Sequence, residues 1–270
     1  MAGTEVFLDP NALAEDGTAS LGGQVWSKDG KYNAYQVKRS GSDWATIHVR
    51  DAETCKDLEN DVLAWVKFSG MSWTADNKGF FYSRFDAPKD QDKTNMDNEA
   101  GKETEKLEYQ KVFYHRVGTK QSDDVLIYQD KSQPVWMFDA SVTNDGKYLL
   151  LDIRKDCDDL GLLSYADLDQ NVALDKEIVF TPLITEWLGG FFYVHNSGSK
   201  GYFKTNYKAS RSRVLCIDFE NPAEPNWVEV LPEDPVNVLQ DAECMNGQIM
   251  ATYLQAATER LKAYNFSHPA

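Results

Sequence analysis

The usual signatures of catalysis are missing from this sequence. It contains no G-x-S-x-G nucleophile elbow, no glycine-rich phosphate loop and no H-E-x-x-H pair. The familiar frames for an activated serine, a bound nucleotide and a zinc hydrolase therefore have no counterpart. The histidines His48, His115, His195 and His268 stand apart from one another, and each reads as a strand-surface residue rather than a ligand. Asp156-Cys157-Asp158-Asp159-Leu160-Gly161 echoes a calcium loop. Leu160 stands where an oxygen ligand is needed, however, and no glutamate occupies the twelfth place. No catalytic residue, metal or cofactor is expected from the residues themselves.

Cysteine and positive charge are also scarce. Cys55, Cys157, Cys216 and Cys244 lie far apart without C-x-x-C spacing. That pattern suits reduced thiols in a cytosolic protein better than a disulfide frame or zinc site. Lys and Arg number 28 against 43 Asp and Glu, a net charge of −15. Such a surface repels phosphate backbones and anionic lipid, which argues against nucleic-acid and membrane partners. The N-terminus MAGTEVFLDP lacks the basic-then-apolar order of a signal peptide. The longest apolar run, 188–194, is too short to span a bilayer.

Strands and turns supply what is present. Apolar residues make up 42% of the 270 and aromatics 12%, enough for one large β domain or two smaller ones. From Trp136 to Asp167 the chain reads as a strand, the tetrad Thr143-Asn144-Asp145-Gly146, an apolar strand, a polar turn and a third strand. Asp-Gly between apolar runs is a strong hairpin signal, because glycine accepts positive φ without steric cost. The unit recurs, with turn aspartates at Asp29, Asp76 and Asp145 and worn copies near Ser197 and Asn246. A period of roughly 47 to 70 residues with four strands each is the mark of a propeller blade.

The expected fold is all-β: a β-propeller of four-stranded antiparallel blades at about 22–68, 69–130, 134–187, 190–233 and 238–270. Val6–Asp9 is expected as a lone outer strand within 5–10. It either closes the last blade or belongs to a larger ring whose other blades lie outside this sequence. The polar segment 86–109 reads as a mobile loop inserted in the second blade. Blades pack face to face, so both faces of inner strands must be apolar. Trp26, Trp73, Trp136 and Phe191 are expected to fill those interfaces.

Several elements fall in the order seen in prolyl oligopeptidases, and over nearly its whole length the chain resembles that family. They include Val6-Phe7-Leu8-Asp9-Pro10-Asn11, Gly41-Ser42-Asp43-Trp44, Val66-Lys67-Phe68-Ser69, Trp73-Thr74 and Asp145-Gly146-Lys147-Tyr148. The series continues with the long insert, Tyr114-His115, Gly118-Thr119, Trp136-Met137, Arg154 with Cys157, and Phe203-Lys204-Thr205-Asn206. The Gly-Ser-Asp-Trp and Trp-Met…Arg-x-x-Cys elements are the specific ones.

The resemblance implies a cytosolic serine peptidase that cleaves short peptides after proline. In that family an α/β-hydrolase domain carrying a Ser-Asp-His triad is covered by a seven-bladed propeller. These 270 residues match about the first five blades, so the expected partners are a C-terminal hydrolase domain in the same chain and short proline-containing peptides. No turnover is expected from this span alone. Phe68, Met137 and Cys157 match positions that wall the pocket for the substrate residue preceding proline. Asp43 and Arg154 match charged positions facing the substrate. Without the resemblance, Phe68 and Met137 read as core packing and Asp43 with Arg154 as a surface ion pair. A free-standing propeller that binds a peptide or protein partner is the alternative reading.

Overall fold

In the computed structural model, residues 6–87, 107–155, 158–168 and 174–265 are described. Five antiparallel sheets follow one another along them. The first is β1 (Ala19–Trp26), β2 (Tyr32–Arg39), β3 (Ala45–Asp51) and β4 (Lys56–Val66), in that order. The second is β5 (Met71–Trp73), β6 (Gly79–Arg84), β7 (Lys111–Arg116) and β8 (Val125–Tyr128). The third comprises β9 (Met137–Val142), β10 (Tyr148–Arg154), β11 (Leu162–Asp167) and β12 (Thr181–Ile184). The fourth is β13 (Phe191–Ser197), β14 (Lys200–Thr205), β15 (Arg213–Asp218) and β16 (Val228–Leu231). The fifth has three strands among the described residues: β17 (Val238–Met245), β18 (Gln248–Gln255) and β19 (Thr258–Asn265). The chain divides into two compact units, one holding β1–β9 with residues 174–179 and the other holding β10–β19.

The turn chemistry explains why each sheet is a meander. In the first hairpin Ser27 Oγ donates to Asp29 Oδ1 at 2.6 Å, and that oxygen also takes the Lys31 N–H at 3.1 Å. Thr74 with Asp76, and Thr143 with Asp145, repeat the arrangement at 2.7 Å each. A short side chain that bonds the backbone two residues on holds the turn in place of a ladder bond. Gly30 and Gly146 supply the left-handed residue, and in the second turn Asn77 does (φ 58°). The turns are also stitched sideways within each unit. Asn77 Oδ1 accepts the Lys28 N–H at 2.7 Å, and Asn196 Nδ2 donates to Asp145 Oδ2 at 2.7 Å.

Neighbouring sheets share apolar layers. In the first unit Ala34, Ile47, Val49 and Leu63 pack with Trp73, Phe80 and Tyr82. In the second, Tyr148, Leu150 and Leu163 pack with Phe191, Phe203 and Phe219, and Val194, Tyr202 and Cys216 pack with Leu239, Ile249 and Tyr253. Trp73 and Phe191 are buried in these layers, as expected. Trp26 is not: it is 43% exposed and its ring lies 4.8 Å from that of Phe7. Trp136 is half-buried.

Three local expectations are corrected. Val6–Asp9 is not a strand. Asp9 caps a 3-10 turn over Pro10–Ala12 by accepting the Asn11 N–H at 2.9 Å, and Pro10 has no N–H to give a ladder. The fourth strand, expected over Val62–Phe68, instead runs from Lys56 to Val66, so Phe68 lies beyond it. His115 is wholly buried in β7, where both faces are covered, rather than on a strand surface. Residues 88–106 of the long insert lie outside the described residues. Ala87 and Leu107 on its flanks pack against Trp44, Trp65 and Phe85.

Candidate functional site

The end of β4 and its connection to β5 depart from ordinary backbone twice within four residues. Trp65 has φ 61° and Phe68 φ 53°. Bulky residues enter the left-handed region only when surrounding contacts over-determine them, and such positions cluster at functional sites. At Trp65 the pairing of β3 with β4 slips, Ile47 facing Leu63 while Ala45 faces Val66, a bulge that re-aims the strand end. The result carries Phe68 into solvent, 55% exposed. Below it Trp44 meets Trp65 and Phe85 edge-on at 5.7 and 5.9 Å. The Lys67 ammonium sits 5.2 Å from the Trp44 ring and 5.3 Å from the Phe68 ring.

A polar frame holds this turn. Gln110, 1% exposed and immediately before β7, donates from Nε2 to the Lys67 carbonyl at 2.9 Å and the Phe68 carbonyl at 3.3 Å. Its Oε1 accepts the Phe138 N–H at 2.6 Å. Gln36 Nε2 donates to the Ser69 carbonyl at 2.8 Å, and Asp139 Oδ1 accepts the Gly70 N–H at 3.0 Å. Ser69 Oγ accepts the Ser83 N–H at 2.7 Å, while Ser83 Oγ donates to the Phe138 carbonyl at 2.7 Å. Met137, half-buried, precedes Phe138 at the start of β9. Phe68 and Met137 are thus mounted on one hydrogen-bonded frame. Asp43 is exposed and adjoins Trp44, whose N–H is donated to Ser42 Oγ at 3.1 Å.

Arg154 belongs to the second unit. It ends β10 exposed, with Nε 2.7 Å from Asp152 Oδ1 and its guanidinium 5.1 Å from the Phe192 ring. Asp152, its strand neighbour two residues back, is one ion-pair partner. The segment after it is stapled by Asn206, whose Nδ2 donates to the Asp159 carbonyl at 3.2 Å while Oδ1 accepts the Gly190 N–H at 2.8 Å. A side chain at Gly189 would meet Asn206 Oδ1 at 2.6 Å, which is why glycine stands there. Cys157, expected beside Phe68 and Met137, lies outside the described residues.

Sequence reasoning missed Gln110, Gln36, Ser83 and Asp139. Gln36, Ser83 and Asp139 are single polar residues in strand runs and Gln110 stands just before a strand, and nothing in their spacing marks them. It also missed a second buried cluster. His115 donates from Nδ1 to Asp124 Oδ1 at 2.6 Å and from Nε2 to Asp61 Oδ1 at 3.1 Å, all three side chains being fully buried. Tyr82 OH donates to Asp124 Oδ2 at 2.6 Å, and Gly118 N–H reaches Asp61 Oδ1 at 2.8 Å. Burial works to lower the imidazole pKa, but the bonds to Asp124 and Asp61 outweigh it and hold it up at about 9. With both ring nitrogens donating to carboxylates, no lone pair remains to take a proton, so this histidine is structural. The Phe68 frame thus carries an exposed aromatic ring, the Lys67 ammonium 5.3 Å from it and, on β9, the half-buried thioether of Met137.

Comparisons with known proteins bear on the family and the fold. The family described as prolyl oligopeptidase, N-terminal beta-propeller domain, matches residues 1–269. Prolyl oligopeptidase A of Amanita bisporigera is 36% identical over 273 residues, covering 97% of this chain and 35% of its own length. The prolyl endopeptidase of Elizabethkingia meningoseptica is 34% identical over 264 residues, 97% of this chain and 34% of its own. A solved structure of prolyl oligopeptidase B from Galerina marginata, bound to a 25mer macrocyclization substrate, superposes with a TM-score of 0.83 at 32% identity. That match covers 97% of this chain and 36% of the other. The chain therefore spans about a third of the length of these relatives, and its sheets are blades of a β-propeller portion, as the repeat led us to expect.

Proposed function

Because the chain belongs to the prolyl oligopeptidase N-terminal β-propeller family, we propose that it serves as the propeller portion of a prolyl-specific serine endopeptidase. In this reading it lines the substrate pocket and gates access to it, while hydrolysis is done by an α/β-hydrolase domain in the same protein. Its substrates are short proline-containing peptides. Phe68 and Met137 wall the pocket for the residue preceding proline, and Asp43 and Arg154 face the substrate's polar ends; Cys157, the third wall position that the resemblance implies, lies outside the described residues. The segment 86–109, which the resemblance matches to a loop linked to substrate entry, lies over 88–106 outside the described residues. The setting is the cytosol, in keeping with Cys55, Cys216 and Cys244 as free thiols. No helix among the described residues is long and apolar enough to cross a membrane.

The observation that carries this reading is Phe68. An aromatic ring more than half exposed, on left-handed backbone, is costly to the fold and is held there by a dedicated frame. A pocket wall needs such a ring on a rigid mount, because a ligand gains from apolar contact only where the wall is already in place.

The test is hydrolysis of a fluorogenic Gly-Pro peptide by this chain alone and by the chain joined to a hydrolase domain. The expected outcome is no turnover alone and turnover when joined, with KM raised about tenfold by Phe68→Ala or Met137→Ala, the scale of losing a contact in an apolar pocket. Turnover by the chain alone, or a joined enzyme indifferent to both substitutions, overturns the reading.

A further inference from the structure

We propose that Gln110 is the positioning residue that fixes the separation of Phe68 from Met137, and through it the size of substrate side chain accepted before proline. This rests on the reading of those two residues as the pocket wall.

Four hydrogen bonds form a closed circuit. Gln110 Nε2 donates to the Phe68 carbonyl, Ser83 N–H donates to Ser69 Oγ, Ser83 Oγ donates to the Phe138 carbonyl, and Phe138 N–H returns to Gln110 Oε1. Ser69 follows Phe68 and Phe138 follows Met137 in the chain, so the circuit grips the backbone beside each wall residue. Gln110 closes it with a single planar group. Its amide orientation is dictated by its partners: two carbonyls face the NH2 and one N–H faces the oxygen. A planar amide of fixed length held at both ends acts as a strut between the β4–β5 turn and β9. No other side chain of the circuit bonds the Phe68 carbonyl, and the left-handed conformation of Phe68 needs that support.

The chemistry of the strut supplies its own control. An ionised glutamate in place of Gln110 faces two carbonyl oxygens and repels both. The neutral acid donates one O–H and keeps an acceptor, which restores most of the circuit.

The experiment uses the full-length enzyme carrying this propeller in one chain with its hydrolase domain. The readout is the ratio of kcat/KM for two peptides differing only in the residue before proline, alanine against phenylalanine, between pH 5.5 and 8. A ratio within one enzyme is blind to the folded fraction and to titration of the catalytic triad, which affect both peptides alike. Gln110→Met is expected to change the ratio about tenfold at every pH, the scale of a misfitted apolar contact. Gln110→Glu is expected to change it as much at pH 8 and to return toward the unmodified value at pH 5.5. If both variants keep the original ratio while Phe68→Ala alters it, the strut is overturned and the wall stands. If Phe68→Ala also leaves the ratio unchanged, the wall itself falls and the inference with it.

Discussion

The two ends of one strand carry polar groups of opposite kinds. Just before β7 lies Gln110, neutral, with both amide atoms bonded to backbone. Near its far end lies His115, between Asp61 and Asp124, and there Asp61 Oδ2 has no hydrogen-bond partner among the described residues. The neutral clamp positions backbone next to a candidate pocket wall. The charged one joins the first two sheets of the same unit, since Asp61 comes from β4, His115 from β7 and Asp124 from the residue before β8. Burial makes the two unequal. A buried amide that loses its partners costs its hydrogen bonds, whereas a buried ion that loses its partner leaves an uncompensated charge. Strand ends bearing similar roles in the sheet thus differ in what their removal does and in whether pH can reach them.

The comparison is sharpened most by His115→Leu. It leaves two buried carboxylates facing each other, and we expect about 3–5 kcal/mol of lost stability, read as a fall in the urea midpoint. A loss below about 1 kcal/mol would mean that water reaches the cluster. A pH series separates the two ends next. The His115 pKa is raised from 6.5 to about 9 in the folded chain, so its contribution is complete below pH 6.5 and is lost as pH rises through 9. That amounts to about 3 kcal/mol at 1.36 kcal/mol per pH unit. Urea midpoints between pH 6 and 10 should show this decline in the unmodified chain and not in His115→Leu.

Gln110→Leu should cost less, about 1–3 kcal/mol, for the stranded Phe138 N–H and the carbonyls it leaves behind. Its penalty should not vary between pH 6 and 10, because no charge is involved; a pH-dependent penalty would tie it to the His115 cluster. The smallest effect belongs to Phe68→Gly. Glycine relieves left-handed strain of about 1–2 kcal/mol and adds chain entropy of about 0.5–1 kcal/mol, so stability should hold or rise slightly. A clear loss of stability would show that the ring supports the fold rather than lying ready for a ligand.

Much of the architecture is legible in the residues. The Ser/Thr-x-Asp turns at Ser27, Thr74 and Thr143 mark three hairpins, and the same side chains make the bonds that hold them. Such turns are local, so their chemistry can be read without the fold. The errors lie where local rules compete with distant partners. Val6–Asp9 opens with the apolar run of a short strand, yet Asp9 and Pro10 favour a cap. His115 sits in a strand with no acidic neighbour in sequence, and its partners come from 54 and 9 residues away. Trp26 matches Trp73 in position but lies largely in solvent beside Phe7 rather than in the layer between sheets.

The site divides the same way. Phe68, Met137, Asp43 and Arg154 were reached through resemblance, because a lone aromatic after a strand looks like core. Its exposure depends on a bulge at Trp65 and on carbonyls held by Gln110. By itself the sequence determined the all-β repeat, the hairpin turns and the family, since periodicity and turn chemistry act between residues close along the chain. Only the tertiary structure decided that Phe68 faces solvent on left-handed backbone, that Gln110 ties it to β9, and that His115 is a buried cation. Each of these depends on hydrogen-bond partners that folding brings together from separate strands, and no local pattern encodes which partner will arrive.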